Sequence, residues 1–275
     1  MKHLVKLLVL PLLLCCCACS SENGDPWNMD GQQEQVEKCM VRMSLTRADG
    51  ENAFAEEGIS EITIFVYHQL RTGTELLEAR TVNTDNSTIQ FELPLGETYQ
   101  TFVVAGAASV TNNETLETVQ LHLDPAQQQD VWLSGVVRFA SDKSVSNLNL
   151  TMRRMVAQVS FAPLETTEEL AARSEFDNLQ LTFTNVATTW QVKTGLPMVE
   201  DLKLTTTAAE GYHSSFRTFA TGENAGMSID YLKGDMVVNS SPSLLEVGTK
   251  YKTSHSYELL VPITNSDYVT KPFTD

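Results

Sequence analysis

Short runs in which apolar and polar residues alternate make up most of the chain. The first run is VEKCMVRMSLT, residues 36–46. Its apolar side carries Cys39, Val41, Met43 and Leu45. A period of two predicts a half-buried β-strand. The next run, ISEITIFVYH at residues 59–68, is β-branched and aromatic on both faces, which predicts a strand in the middle of a sheet.

Similar runs recur about every ten residues, with turn residues between them. They include LLEARTV, TIQFELPL, YQTFVVAGA and VWLSGVVRFA in the first half, and NLQLTFTNV, TWQVKTG, LKLTTT, SSFRTFA, DMVVNS and YELLVPI in the second. This spacing predicts a sandwich or barrel. One short helix is predicted from a capping box, Thr166 to Glu169, through Arg173. The chain is therefore predicted to be nearly all β.

The length and one break in the alternation predict two domains. The chain has 275 residues, of which 42% are apolar, and a domain commonly has about 100–150 residues. In LNLTMRRMVAQVSFAP, residues 148–163, Arg153 and Arg154 interrupt the alternation. We therefore place an N-terminal β-sandwich at residues 36–146 and a C-terminal β-sandwich at residues 147–275.

The N-terminus predicts a lipoprotein signal peptide at residues 1–18. Its basic start precedes an apolar core at residues 4–14, about half of the roughly 20 residues that a helix needs to cross a bilayer. Four cysteines follow, and only Cys19 has a small residue, Ala18, directly before it. A lipoprotein signal places its lipidated cysteine behind small residues. We therefore expect a lipid on Cys19, with Cys17 as the second candidate.

A flexible acidic stalk is predicted at residues 19–35, because this segment is polar and rich in Gly, Asn and Gln. The two or three acyl chains of a lipoprotein, at about 0.8 kcal/mol per buried CH₂, would hold the chain firmly on a membrane. The net charge of −16 repels nucleic acid, so no nucleic-acid partner is expected.

The sequence predicts no catalytic site, no metal site and no cofactor. Its five histidines are scattered without metal-ligand spacing. It contains no Gly-rich phosphate loop, no nucleophile elbow and no Cys-His pairing. Apart from Cys19, the chain beyond the leader has Cys39 alone, so no internal disulfide is expected. We do not expect an enzyme.

The order of several segments resembles the FimB/Mfa2 family of fimbrial lipoproteins and, more broadly, the fimbrillin superfamily of Bacteroidetes type V pili. The segments are the leader with its cysteines, EEGISEITIFVYHQLRTGTELLE, LPLGETYQTFVVAGA, DVWLSG and LTMRRMVAQVSF. They span most of residues 19–190. The last 85 residues resemble the family only in their general character and not in particular segments. The resemblance implies two tandem transthyretin-like Greek-key β-sandwich domains. It also implies an anchor, shaft or accessory subunit of a fimbrium, lipid-anchored on the outer face of the outer membrane.

Subunits of this family assemble by exchange of strands, so the resemblance implies other fimbrial subunits as partners, together with a receptor on a host or bacterial surface. Residues 36–46 would be the donor strand or the strand that fills the groove. Shaft-type members are cut by a trypsin-like protease beyond this strand, and Arg47, in the polar turn SLTRADG, stands at that place. The alternative is an ordinary surface arginine. An uncut chain would act as an anchor, and a cut chain would lose its lipid and polymerise.

Two further expectations stay open. The C-terminal residues DYVTKPFTD contain no obvious last strand, so either the chain is truncated or one sandwich is left incomplete for a partner. The alternative function is a glycan-binding surface lipoprotein of a polysaccharide-utilisation system, which would share the leader, the stalk and the tandem sandwiches. Trp132 and Trp190 lie in predicted strands and are expected to pack in the core or at a sandwich edge; exposed tryptophans would favour the glycan-binding alternative.

Overall fold

The structure is a computed structural model that describes residues 37–48, 58–84, 88–106, 108–126, 129–172, 175–241 and 243–263. The signal peptide, the stalk and Cys19 lie outside the described residues, as does the C-terminal segment beyond residue 263. The described part is nearly all β, as the sequence predicts, and its strands form two sheets. Within it, no helix is long and apolar enough to cross a membrane.

Strands in the first half of the chain are β1 Lys38–Arg47, β2 Glu61–Leu70, β3 Gly73–Asn83, β4 Thr88–Pro94, β5 Thr98–Gly106, β6 Ala108–Thr111, β7 Gln120–Leu123, β8 Val131–Ser134, β9 Val137–Ala140 and β10 Val145–Arg154. Those in the second half are β11 Val156–Pro163, β12 Asn178–Gln191, β13 Leu196–Thr207, β14 Ser214–Phe219, β15 Gly226–Lys233, β16 Met236–Ser240 and β17 Ser256–Val261. The first sheet has the order β3-β2-β5-β8-β10-β1-β4, with β9 beside β5. The second has the order β16-β15-β12-β14-β11-β17, with β13 and β7 also paired to β12 and β6 paired to β7.

The chain passes from the first sheet to the second at Met155, between the end of β10 and the start of β11. The alternation breaks here because Arg153 and Arg154 belong to one sheet and the apolar run after them belongs to the other. The predicted division into residues 36–146 and 147–275 stays a prediction.

The two halves of the chain repeat one arrangement of strands. β1, the first strand of its half, has the last strand of that half, β10, parallel on one side and β4 antiparallel on the other. β11, the first strand of the second half, has β17 parallel on one side and β14 antiparallel on the other. Each half therefore depends on its own first strand to join two strands that are distant in sequence.

Three apolar cores hold the sheets together, and one of them is shared. The first sheet encloses a core around Val41 and Phe91, and the second encloses a core around Phe183 and Phe216. The third takes residues from both sheets, among them Phe102 and Phe219. β5 is buried on both faces because it lies between the first core and the shared core.

The predicted capping box is confirmed. α1 spans Thr167–Ala171, and its N-cap is Thr166. The backbone N–H of Thr166 donates to Glu169 Oε2 at 2.8 Å, and the backbone N–H of Glu169 donates to Thr166 Oγ1 at 3.3 Å. The helix ends at Ala171, two residues before the predicted end.

Candidate strand-exchange site at the first strand

β1 lies between two strands, next to the edge of the first sheet. Its residues 40–47 pair in parallel with residues 145–152 of β10. On the other side, residues 38–44 pair antiparallel with residues 88–94 of β4, which is the edge strand. Without β1, two strands would face each other with unpaired N–H and C=O groups. Two such unpaired strand edges are a template for a strand from another molecule.

The inward side chains of β1 belong to the core of the first sheet. Cys39, Val41 and Met43 are fully buried, and Leu45 is half-buried against the same core. The alternation in the sequence therefore matches the burial that the structure shows. Their use as a donor or groove-filling strand stays a prediction.

The strands beside β1 present apolar side chains to the same core. The buried members from β4 and β10 are Ile89, Phe91, Leu93, Leu150 and Met152. In the sheet register Val41 lies opposite Phe91, and Met43 lies opposite Ile89. Removal of β1 would expose these side chains along a slot with hydrogen-bonding edges. The slot would then favour a strand that has apolar residues at every second position.

Arg47 is not in the exposed polar turn that the sequence led us to expect. It is the last residue of β1 and is 6% exposed. Its guanidinium carbon lies 4.4 Å from the centroid of the Trp132 ring. Arg47 is buried because it continues the series of odd-numbered residues of β1 that point inward. Its apolar stem therefore covers the core, and its charged head stacks on the Trp132 ring. The alternation in the sequence, extended to residue 47, would have indicated that Arg47 points inward.

The peptide bond after Arg47 is also held by the sheet. The backbone N–H of Ala48 donates to the carbonyl oxygen of Met152 at 2.8 Å. A trypsin-like protease must take the arginine side chain into its own pocket and bind the flanking backbone. The end of β1 must therefore open before Arg47 can be cut. Cleavage at this bond stays a prediction.

A buried cluster of charges, which the sequence did not predict, joins the two sheets. Asp130 lies immediately before β8 and is 8% exposed. Its Oδ2 is 2.8 Å from Nε of Arg154, at the end of β10, and its Oδ1 accepts a hydrogen bond from Arg154 Nη2 at 2.9 Å. Arg217 of β14, from the second sheet, donates to the same Oδ1. One carboxylate thus bridges guanidinium groups from both sheets.

No cluster of three or more His, Cys, Asp or Glu side chains that could hold a metal ion is found in the described ranges. The Cys39 thiol is free and buried, with its Sγ 3.5 Å from Ser146 Oγ. A buried thiol in an apolar strand is usually unreactive. The feature of this region that most suggests a function is therefore the strand β1, and not the thiol of Cys39.

Comparison with known proteins gives matches in structure only. No family model matches the sequence, and no curated protein matches it. The crystal structure of putative polysaccharide binding proteins from Bacteroides thetaiotaomicron VPI-5482 has a TM-score of 0.56 and 12% identity, and the match covers 84% of this chain and 94% of that one. A putative adhesin from Bacteroides ovatus has a TM-score of 0.53 and 13% identity, with coverage of 84% and 89%.

A putative adhesin from Bacteroides ovatus ATCC 8483 has a TM-score of 0.55 and 10% identity, and the match covers 93% of this chain and 100% of that one. At these identities the likeness concerns the fold. It extends over both sheets, because most of each chain is covered. The chain shares its two-sheet, all-β fold with these Bacteroides proteins, and this is consistent with the fimbrillin-like resemblance that its sequence segments carry.

Proposed function

We propose that this chain is a surface adhesion protein and, more specifically, a structural subunit of a fimbria that joins its neighbours by strand complementation at β1. The observation that carries the proposal is the position of β1, which is paired on both sides and packed into the core. The fold shared with proteins called putative adhesins supports the surface role. The order of sequence segments supports the fimbrial role.

β1 suits exchange because it is the first described strand, so a single segment of chain connects it to the strands that follow. The next described strand, β2, begins only at Glu61. Three fully buried apolar side chains at about 1.5–3 kcal/mol each give on the order of 5–9 kcal/mol before the cost of ordering the strand. The hydrogen bonds to β10 and β4 add to this. A strand with the same alternation from another subunit would regain these contacts and form a long-lived joint.

The proposal predicts that cleavage after Arg47 converts the chain into a polymerising form. Exposed residues such as Arg71 and Lys143 would be cut faster than the buried Arg47 by trypsin itself. The test therefore uses a trypsin-like protease that cuts only after arginine, on an Arg71→Gln background. After the cut at Arg47 and brief warming, the chains should form heat-resistant oligomer ladders in gels, because a displaced β1 leaves the slot open for another copy. The N-terminus of the product should be Ala48.

The matched variant is Arg47→Gln, which keeps most of the stem that packs beside Trp132 and removes the cleavage site. It should stay uncut at this bond and monomeric under the same treatment. A chain that is cut after Arg47 and remains monomeric after warming would count against polymerisation through β1. Ladders of equal intensity from Arg47→Gln would place the joint elsewhere.

For the membrane we propose a lipid on Cys19 that tethers the chain to the outer face of the outer membrane. Cys19→Ala, expressed in a bacterium that processes lipoproteins, should move the protein from the membrane fraction to the periplasmic or culture fraction, because the acyl chains supply most of the membrane affinity. Cys17→Ala is the control and should stay in the membrane fraction. Release by Cys17→Ala instead would transfer the assignment to Cys17.

A further inference from the structure

We propose that a groove between the two sheets binds a neutral polysaccharide. The groove lies where the β12–β13 hairpin of the second sheet faces β8, β9 and β10 of the first sheet, and its volume is about 490 Å³. Small-molecule sites commonly have about 300–1,000 Å³. The polar residues of β10 in the groove lie on the face opposite to the core side of β1. Because β10 is itself paired with β1, binding is tested on the uncut chain.

One side of the groove is a row of polar side chains on a single face of β10. Asn149, Thr151 and Arg153 line the groove and are exposed. Leu150 and Met152, between them in sequence, are buried in the core on the opposite face. Successive members of the row are two residues apart on a strand, or about 6.6 Å. The row offers an amide, a hydroxyl and a guanidinium, which together can donate to and accept from sugar hydroxyl groups.

Much of the remaining lining of the groove is apolar, and it includes one aromatic ring. Trp190, half-buried near the end of β12, lines it together with Val136, Val137, Met155 and Val192. The Trp190 ring packs against the Phe219 ring, with 6.0 Å between the centroids. A Cβ built at Gly195 would lie 3.9 Å from Trp190 Cζ2. The ring is therefore held in place from within the protein while part of its surface faces the groove.

This pairing of surfaces matches the chemistry of a sugar ring. A pyranose has an apolar C–H face, which stacks on an indole, and a rim of hydroxyl groups, which need hydrogen-bond partners. A purely apolar ligand would leave the polar row of β10 without partners, which costs affinity. The net charge of −16 repels polyanions such as acidic polysaccharides and nucleic acids. The ligand class that fits both sides of the groove is a neutral polysaccharide.

Affinity electrophoresis of the full chain tests the proposal. Native gels contain amylopectin, galactomannan, xyloglucan or dextran as neutral probes and polygalacturonate as the acidic probe. At least one neutral probe should retard the protein relative to a gel without polysaccharide. The double variant Asn149→Ala/Thr151→Ala should weaken that retardation about tenfold, because both side chains lose their hydrogen bonds to the ligand.

Two further variants complete the test, one as a control and one to remove the aromatic ring. Asn147→Ala is the control, because Asn147 is exposed on the same face of β10 but does not line the groove; its retardation should be unchanged. Trp190→Ala should abolish retardation while thermal melting shows a folded chain. The proposal is overturned if no neutral probe retards the protein, if polygalacturonate alone does, or if the double variant binds as the unaltered chain does.

Discussion

Replacing Met43 with aspartate is expected to remove a large part of the stability of the protein. Met43 is fully buried in the middle of β1, opposite Ile89 of β4 and Leu148 of β10. An aspartate there would lose the packing of the methionine and place a carboxylate in an apolar core without a partner. The cost should be at least about 4 kcal/mol, a large part of the roughly 5–15 kcal/mol that stabilises a typical domain.

Urea unfolding followed by tryptophan fluorescence measures this loss, because Trp132 lies in the same core. Thr46→Asp is the matched control: it introduces the same charge three residues further along β1, at an exposed position. It should change the unfolding midpoint little. If Met43→Asp and Thr46→Asp unfolded at the same urea concentration, β1 would not contribute its core side chains as described, and the strand-complementation proposal would lose its basis.

The Met43 variant also bears on assembly. If β1 is the strand that fills the slot, a peptide of residues 37–47 added to warmed, cut protein should raise its melting temperature and suppress oligomer ladders. The same peptide with aspartate in place of Met43 should do neither, because the slot has an apolar floor. Equal effects of both peptides would mean that backbone pairing alone, or a different site, accounts for the joint.

Replacing Asp130 with asparagine is the second change with a large expected effect. The carboxylate holds Arg154 of the first sheet and Arg217 of the second sheet, and its side chain is only 10% exposed. Asparagine would remove the negative charge that the two guanidinium groups share in a largely buried place. Removing one partner of a buried ion pair commonly costs about 3–5 kcal/mol. We expect about 3 kcal/mol, because the Arg154 side chain retains 25% exposure.

Calorimetry of Asp130→Asn against Asp177→Asn measures this effect. Asp177 pairs with Lys233 at 2.9 Å, but both side chains are about half exposed, and exposed ion pairs contribute little. The control should therefore melt close to the unaltered chain. In the double variant Asp130→Asn/Arg217→Met, the loss of stability should be smaller than the sum of the losses in the two single variants. The reason is that each single variant already removes the same Asp130–Arg217 interaction. Strict additivity would show that the cluster does not act as a unit.

The burial of Arg47 changes the order of events that we expect in assembly. Because Arg47 is packed on Trp132 and its following peptide bond is paired with β10, opening of the strand end must precede cleavage. A chain that opens rarely would keep β1 and its predicted lipid and act as an anchor. If the proposed function holds, the stability of the end of β1 would determine whether the chain acts as an anchor or polymerises.

Local periodicity in the sequence determined much of this protein. The period of two over β1 correctly gave the inward set Cys39, Val41 and Met43, and the capping box gave Thr166 as the N-cap of α1. The two-sided apolar character of residues 59–68 correctly placed β2 between two other strands. These features depend on the geometry of one strand or one helical turn, so neighbouring residues are sufficient to specify them.

Only the tertiary structure decided which strands meet. β1 pairs with β10, about 105 residues further along the chain, and Asp130 meets Arg217 across 87 residues. The groove beside Trp190 likewise exists only because a hairpin of the second sheet lies against the first. A strand's alternation states which face is buried but not what covers it, because backbone pairing is the same for every sequence and the choice of partner depends on how the whole chain folds.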